Sequence, residues 1–326
     1  MKKVNRKSGY LVGLVLVLIL FQPYCTDLAS GADRPLIAVV RSRNIGPYNQ
    51  AIDGFEKELN SGGIKPIISY YDLEGVRGRE KMLLDEAKDL NPDLILAVGT
   101  EAAILCKDFF KKKPVVFTMV LDSVQSGITE NYNPTRSNLT GVILTIPIDV
   151  QFKKLKEIVP GIKTIGMLYD SNTRTERVKD IYNVTERLGL KLVAKPVSSS
   201  RDIPSVLNSV VRESDALWAE VDTLIYVPQT AEEIILVTFR EKIPFMAFSS
   251  PYVKAGALIA FECDYYDIGR QTGEIANSIL KGKNPGTISI AFPRKRNLVI
   301  NKRTAETIGI SIPPHILKET VKVFGQ

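Results

Sequence analysis

The 326-residue sequence contains one histidine, His315, and one tryptophan. Catalytic arrangements that pair histidine with serine or cysteine therefore have only one position around which to form. The chain also lacks the GxxxxGK[ST] and GxGxxG loops that hold nucleotide phosphates, and the HExxH motif of zinc enzymes. We therefore expect no catalytic residues, no metal and no cofactor.

Cysteine is scarce too, with three residues in the whole chain: Cys25, Cys106 and Cys263. They form no CxxC motif and no cluster with histidine, which argues against a metal site. Cys106 and Cys263 could pair in an oxidising compartment or stay as buried free thiols. The sequence leaves both alternatives open.

The chain carries only a small excess of positive charge, which is the charge that would attract a polyanion such as nucleic acid. Its formal net charge is +7, from 43 basic and 36 acidic residues. Four of the basic residues, Lys2, Lys3, Arg6 and Lys7, lie in the first seven positions, so the remainder is only weakly basic. A charge this small on so large a body predicts no nucleic-acid partner.

The N-terminus is typical of a secretory signal peptide. The basic residues precede an apolar run over 10–21, followed by Pro23 and small residues at 29–32. This run is shorter than the roughly 18 to 20 residues that span a bilayer. We predict a signal peptide over 1–32 and export to the periplasm or another extracytoplasmic site. A retained anchor, or a lipid on Cys25 that tethers the protein, stays open.

After this segment, short β-branched runs alternate with segments of helical periodicity. This alternation predicts right-handed crossovers and parallel sheets. The predicted strands are 36–40, 65–70, 94–98, 115–119, 164–168, 191–197, 216–218, 245–248, 257–261 and 298–300.

The alternation breaks between Leu121 and Gly141, a stretch rich in asparagine and without a helical face. Two series separated by a break predict an α/β protein with two Rossmann-like lobes. The strands near the C-terminus are too few for a third domain, so the chain must cross between lobes more than once and form a hinge of several strands. We expect lobe 1 to comprise 33–146 and 250–291, and lobe 2 to comprise 147–249 and 292–326.

Ligands of open parallel sheets bind beyond the carboxyl ends of the strands, where helices begin. Polar residues follow several predicted strands here, and Tyr48 could add an aromatic wall. Each residue alone is more often a turn or a helix cap, but all fall on the edges that face the gap between lobes. The candidate ligand-binding residues are Tyr48, Gly99, Thr100, Asp122, Asn172, Asp222 and Ser249.

Several segments, taken in this order, resemble the ABC transporter substrate-binding protein family related to tryptophan-binding lipoproteins. They span nearly all of the chain after the predicted signal peptide. The segments are Gly99–Ala103, Pro114–Thr118, Ser137–Val142, Leu155–Pro160, Val253–Leu258, Asp264–Tyr266, Gly269–Glu274 and Ile308–Pro313.

This resemblance implies the fold of type I periplasmic binding proteins, with three crossings and a solute held between the lobes. It implies a monomer that captures an amino-acid-like solute and delivers it to a membrane permease. Thr100 would then bind the carboxylate of the solute, Asp222 and Asp122 its ammonium group, and Tyr48 its apolar part.

Two other functions stay open at this stage. One is a ligand-binding sensor for a membrane receptor. The other is a secreted two-lobe enzyme with Asp122 and Asp222 as an acid–base pair.

Overall fold

The structure, a computed structural model, describes residues 34–75 and 78–325. The predicted signal peptide and Cys25 lie outside these residues. The strands are β1 (Leu36–Arg41), β2 (Ile67–Asp72), β3 (Leu94–Val98), β4 (Val115–Val120), β5 (Leu139–Ile143), β6 (Thr164–Asp170), β7 (Lys191–Val197), β8 (Ala216–Trp218), β9 (Phe245–Ala247), β10 (Ile259–Cys263), β11 (Arg296–Asn301) and β12 (Thr320–Phe324).

Helices separate most of these strands. They are α1 (Gly46–Ser61), α2 (Glu80–Asp89), α3 (Thr100–Phe109), α4 (Ile148–Ile158), α5 (Thr175–Arg187), α6 (Ile203–Glu213), α7 (Pro228–Arg240), α8 (Ser250–Ala255), α9 (Tyr265–Leu280), α10 (Lys302–Ile308) and α11 (Pro314–Glu319). Within the described ranges, no helix has the length and apolar character needed to cross a membrane.

Lobe 1 is built on a five-stranded sheet in the order β2-β1-β3-β4-β5, in which every neighbouring pair is parallel. The inner strands β3 and β4 are buried along their whole length. Such continuous apolar runs are expected where helices cover both faces of a parallel sheet.

Lobe 2 is built on a seven-stranded sheet in the order β12-β11-β10-β9-β8-β6-β7. Its neighbouring strands are parallel except for the antiparallel pair β10 and β11. The predicted fold class, α/β with two Rossmann-like lobes, is confirmed.

Two strands were absent from the sequence prediction. The strand β5 lies at the end of the stretch assigned to the inter-lobe break, and β12 ends the described chain. A Cβ on Gly141 in β5 would overlap the backbone oxygen and ring of Phe117 in β4. The glycine therefore permits the close approach of two strands.

The chain passes between the lobes three times: after β5, between β10 and α9, and before β11. This pattern revises one expected boundary, because the segment 250–291 does not lie wholly in lobe 1. Its first part, α8 and β10, belongs to lobe 2, since β10 pairs with β9 and β11. The helix α9 then packs on α1 in lobe 1.

Glycines allow the backbones of α1 and α9 to touch. A Cβ on Gly54 would overlap the carbonyl oxygen of Tyr266, and a Cβ on Gly269 would overlap that of Ala51. One helix turn later, a Cβ on Gly273 would lie 2.7 Å from the Cβ of Glu58. Because backbone atoms cannot move aside cheaply, a larger residue at Gly54 or Gly269 would force the two helices apart.

We predict that Gly269→Ala lowers the free energy of unfolding by roughly 1 to 3 kcal/mol, because overpacking outweighs the better helix propensity of alanine. Chemical denaturation measures the change. The matched control is Gly161→Ala, where a Cβ meets nothing within 4 Å. Equal stability of the two variants would contradict the close packing of α1 and α9.

Candidate functional site

A cavity of about 460 Å³ lies between the two lobes, bounded by the segments that follow β4, β5, β8, β9 and β10. This volume is in the range of small-molecule sites. Apolar side chains form much of its wall, among them Leu121, Leu144, Ile146, Phe248 and Phe261. Of the seven candidate residues from the sequence, Asp122 and Ser249 line it.

Asp122 is buried, and its carboxylate is already bound by neighbouring groups. It accepts hydrogen bonds from the N–H groups of Val124 at 2.9 Å and Gln125 at 3.1 Å, which fixes the turn after β4. It also accepts the Tyr132 hydroxyl at 2.8 Å and the Gln125 amide at 3.3 Å. Burial raises the pKa of Tyr132, and the hydrogen bond to Asp122 raises it further, so the phenol stays protonated and remains a donor.

Asp222 occupies an equivalent turn after β8 but is not among the cavity-lining residues. Its carboxylate accepts the N–H groups of Leu224 at 2.8 Å and Ile225 at 3.0 Å. It also pairs with the Nε atom of Arg174 at 3.2 Å. In this structure the side chain therefore holds a turn and an arginine.

Glu220 and two arginines form a compact charge cluster beside the cavity. The guanidinium of Arg177 donates to Glu220 at 2.8 Å and 3.2 Å, and Arg174 lies 3.6 Å from the same carboxylate. Burial lowers the pKa of Arg177, but the charge and hydrogen bonds of Glu220 outweigh this effect, so the pKa lies above its ordinary value. Each charge in this cluster thus has an opposite partner.

A hydrogen bond between two side chains in this region joins the lobes. The Nη1 atom of Arg174, in lobe 2, donates to the amide oxygen of Gln125, in lobe 1, at 3.2 Å. Since Gln125 binds Asp122 and Arg174 binds Asp222, a continuous polar chain links the two aspartates. Gln125 and Arg174 carried no signal in the sequence, because their partners lie in other segments.

Tyr48, Gly99 and Thr100 lie together in lobe 1, outside the cavity lining. Gly99 has φ +95°, and a Cβ there would lie 2.6 Å from both the Tyr48 hydroxyl and Ser42 Oγ. The space beside Gly99 is therefore filled by these side chains rather than open to a ligand. Thr100 Oγ1 accepts the N–H of Leu121 at 3.5 Å, which places it behind the cavity wall.

Asn172 is exposed after β6, where its N–H and side-chain amide donate to Asp170 at 2.9 Å and 3.0 Å. Ser249 lies in the cavity wall just before α8, next to Ser250. The cavity also contains Glu262, at the end of β10, which the sequence analysis did not select. The rule that selected the other residues applies to it, since it directly follows the predicted strand 257–261.

The two cysteines of the described chain are free thiols. Cys106 is buried in the core of lobe 1, whereas Cys263 lines the cavity and donates to the carbonyl of Leu144 at 3.2 Å. Burial raises the pKa of both thiols, that of Cys263 to about 12. Of the two alternatives left open by the sequence, the structure has the free thiols.

A comparison with known families matches residues 38–324 to the ABC transporter substrate binding protein family. The chain belongs to this family. Its members bind substrates and are not enzymes, which agrees with the expectation drawn from the scarcity of histidine and of catalytic motifs. The resemblance noted in the sequence is thereby confirmed.

Individual relatives agree with this assignment. A tyrosine-binding protein of Clostridioides difficile is 24% identical over 266 residues, covering 80% of this chain and 76% of that protein. The ABC domain from Streptococcus pneumonia in complex with L-Trp is 25% identical, covers 89% of this chain and 100% of that one, and has a TM-score of 0.64. A ligand-free, open substrate-binding protein of Clostridium difficile with adhesive properties is 22% identical, covers 90% and 100%, and has a TM-score of 0.77.

We predict that Cys106 and Cys263 resist alkylation in the folded protein at pH 8. Burial raises the pKa of both thiols, so a far smaller fraction of each is the reactive thiolate at this pH than in an unfolded chain. Iodoacetamide labelling with peptide mass spectrometry reports each cysteine separately. Urea should speed the labelling of both thiols, whereas labelling of either one at the same rate with and without urea would contradict the prediction.

Proposed function

We propose that this protein is the extracytoplasmic solute-binding component of an ABC importer, and that it carries an amino-acid-like solute to a membrane permease. The observation that carries the proposal is the cavity between two lobes in a member of the substrate-binding family. The relatives named for tyrosine and solved with L-Trp support an amino acid as the solute. We expect the protein to act as a monomer.

Hinge closure would couple binding to transport. A solute that touches both lobes binds the closed form more tightly than the open form, and so shifts the equilibrium towards closure. A dissociation constant of about 1 μM corresponds to about 8 kcal/mol, which is ample to move such an equilibrium. The permease would then distinguish loaded from empty protein by shape.

The wall of the cavity supports an aromatic side chain on the solute. Phe248 lines the cavity and packs against Tyr226 and Tyr252, with ring centroids 5.8 Å and 4.8 Å away. This packing holds the Phe248 ring in place, so that it offers a preformed apolar surface.

The first test is a panel of the twenty L-amino acids, with binding measured by calorimetry and thermal unfolding. We expect an aromatic amino acid to bind most tightly and, at a hundred times its dissociation constant, to raise the Tm by about 5 °C. Mass spectrometry of the released solute should find it chemically unchanged. Absence of binding across the panel, or turnover of the solute, would contradict the proposal.

A second test concerns the contact between the lobes. We expect Gln125→Ala to widen the gap between the lobes of the solute-free protein, because it removes the hydrogen bond to Arg174. Gln125 is exposed, so the variant should fold normally. Spin labels at Glu130 in lobe 1 and Glu176 in lobe 2 report the distance.

The matched control for this test is Gln50→Ala, an exposed position on α1. A distance distribution identical in Gln125→Ala, Gln50→Ala and the unsubstituted protein would show that the Gln125–Arg174 contact does not set the lobe spacing.

A further inference from the structure

Glu262 is a half-buried carboxylate in the cavity wall. It lies at the end of β10, which is parallel to β9, so it is at the same sheet edge as Phe248 and Ser249. Among residues 34–75 and 78–325, none donates a hydrogen bond to this carboxylate or forms an ion pair with it. Glu262 therefore faces the cavity with its full hydrogen-bonding capacity unused.

The other charged groups of the cavity wall differ from Glu262 in this respect. Asp122 is bound by two N–H groups and by Tyr132. Glu220 is paired with Arg177, and Arg174 is shared between Asp222 and Glu220. Glu262 is therefore the charged side chain of the described cavity lining whose partner is missing.

A second polar group in the same wall also has no partner in the described chain. Ser250 is only 7% exposed and lines the cavity, yet its hydroxyl makes no hydrogen bond within the described residues. The oxygen is not among the fully buried polar atoms of the described chain, so it is accessible to a solute in the cavity. An unpaired carboxylate and an unpaired hydroxyl in one cavity point to a polar, cationic portion of the solute.

We propose that Glu262 binds a protonated amine of the solute, with the Ser250 hydroxyl as a further hydrogen-bonding partner. This inference rests on the proposed function and specifies the chemical class of the solute: a primary amine or an amino acid, rather than an uncharged molecule or a simple carboxylic acid. When the solute enters, it displaces water from the carboxylate. Only a cationic donor replaces the lost hydration with a charge-assisted hydrogen bond.

This assignment moves the ammonium contact away from Asp222 and Asp122, the residues that the family resemblance implied. Both of those carboxylates hold turns through backbone N–H groups. A solute ammonium would have to compete there with donors that the fold supplies permanently. At Glu262 it competes with water alone.

The test compares analogues that differ only in their charged groups. The probes are L-tryptophan and L-tyrosine, their decarboxylated amines tryptamine and tyramine, and their deaminated acids indole-3-propionate and 3-(4-hydroxyphenyl)propionate. Calorimetry measures each against the unsubstituted protein, Glu262→Gln and Glu232→Gln. The last is the matched control, because it removes the same charge from an exposed position in lobe 2.

We expect the amino acids and the amines to bind the unsubstituted protein. Each of them should bind Glu232→Gln with the same affinity as it binds the unsubstituted protein. Glu262→Gln should weaken both by roughly ten- to hundredfold, the usual effect of losing a hydrogen bond to a charged group. The deaminated acids should bind weakly to all three proteins. Circular dichroism should show Glu262→Gln folded, since the replacement keeps the shape of the side chain.

Two results would overturn the role of Glu262 while leaving the proposed function intact. One is unchanged affinity of Glu262→Gln for an amino acid that the unsubstituted protein binds. The other is equal affinity of the unsubstituted protein for an amino acid and its deaminated acid, which requires no variant. If neither the amino acids nor the amines bind the unsubstituted protein, the aromatic amino-acid solute and the role of Glu262 are both wrong.

Discussion

Parallel pairing of strands is the constraint on which the rest of this structure depends. Because parallel neighbours require a crossover between them, the carboxyl ends of the strands collect at one edge of each sheet. Three passages of the chain between the lobes then join these edges around one cavity. The polar residues that follow the strands reach the cavity because of this arrangement.

The acidic residues at that edge differ in whether a neighbouring group already compensates their charge. Asp122 and Asp222 each lie two residues before an N–H group that they bind, so local backbone satisfies them before any solute arrives. Glu220 is balanced by an arginine on α5. Among residues 34–75 and 78–325, neither a backbone N–H group nor a cation binds the Glu262 carboxylate, and an unpaired carboxylate in a partly enclosed site favours a cationic partner. Four acidic residues at similar positions thus differ in how much of their charge and hydrogen-bonding capacity is available to a solute.

The hydrogen bond between Gln125 and Arg174 joins the two lobes next to these same residues. Its donor is held by Asp222 and its acceptor by Asp122, so the side chains that stabilise the turns also orient the contact between lobes. A change in lobe spacing would act on both turns at once. In this structure the two aspartates therefore stabilise the turns and, through Gln125 and Arg174, the contact between the lobes.

Much of this molecule was predictable from local pattern, and the omissions have physical causes. The periodic burial of strands and helices gave the α/β class and ten of the strands. It failed for β5, because this strand begins inside the asparagine-rich break and contains Gly141, and glycine is depleted in strands unless a neighbouring strand lies close against it, as Phe117 does. For the site, position after a strand indicated Asp122 and Ser249 in the cavity wall. The same rule also selected Asn172, which instead closes its own turn with Asp170.

The sequence by itself determined the alternation of strands and helices, and hence two lobes with polar residues at the ends of their strands, because burial periodicity is a local property of the chain. The tertiary structure alone decided that β10 joins lobe 2 and that Asp222 has a charged partner, whereas Glu262 has none in the part of the chain that the structure describes. Strand pairing and charge pairing bring together residues far apart in the chain, such as Arg174 and Asp222. No local pattern records which of these distant groups meet.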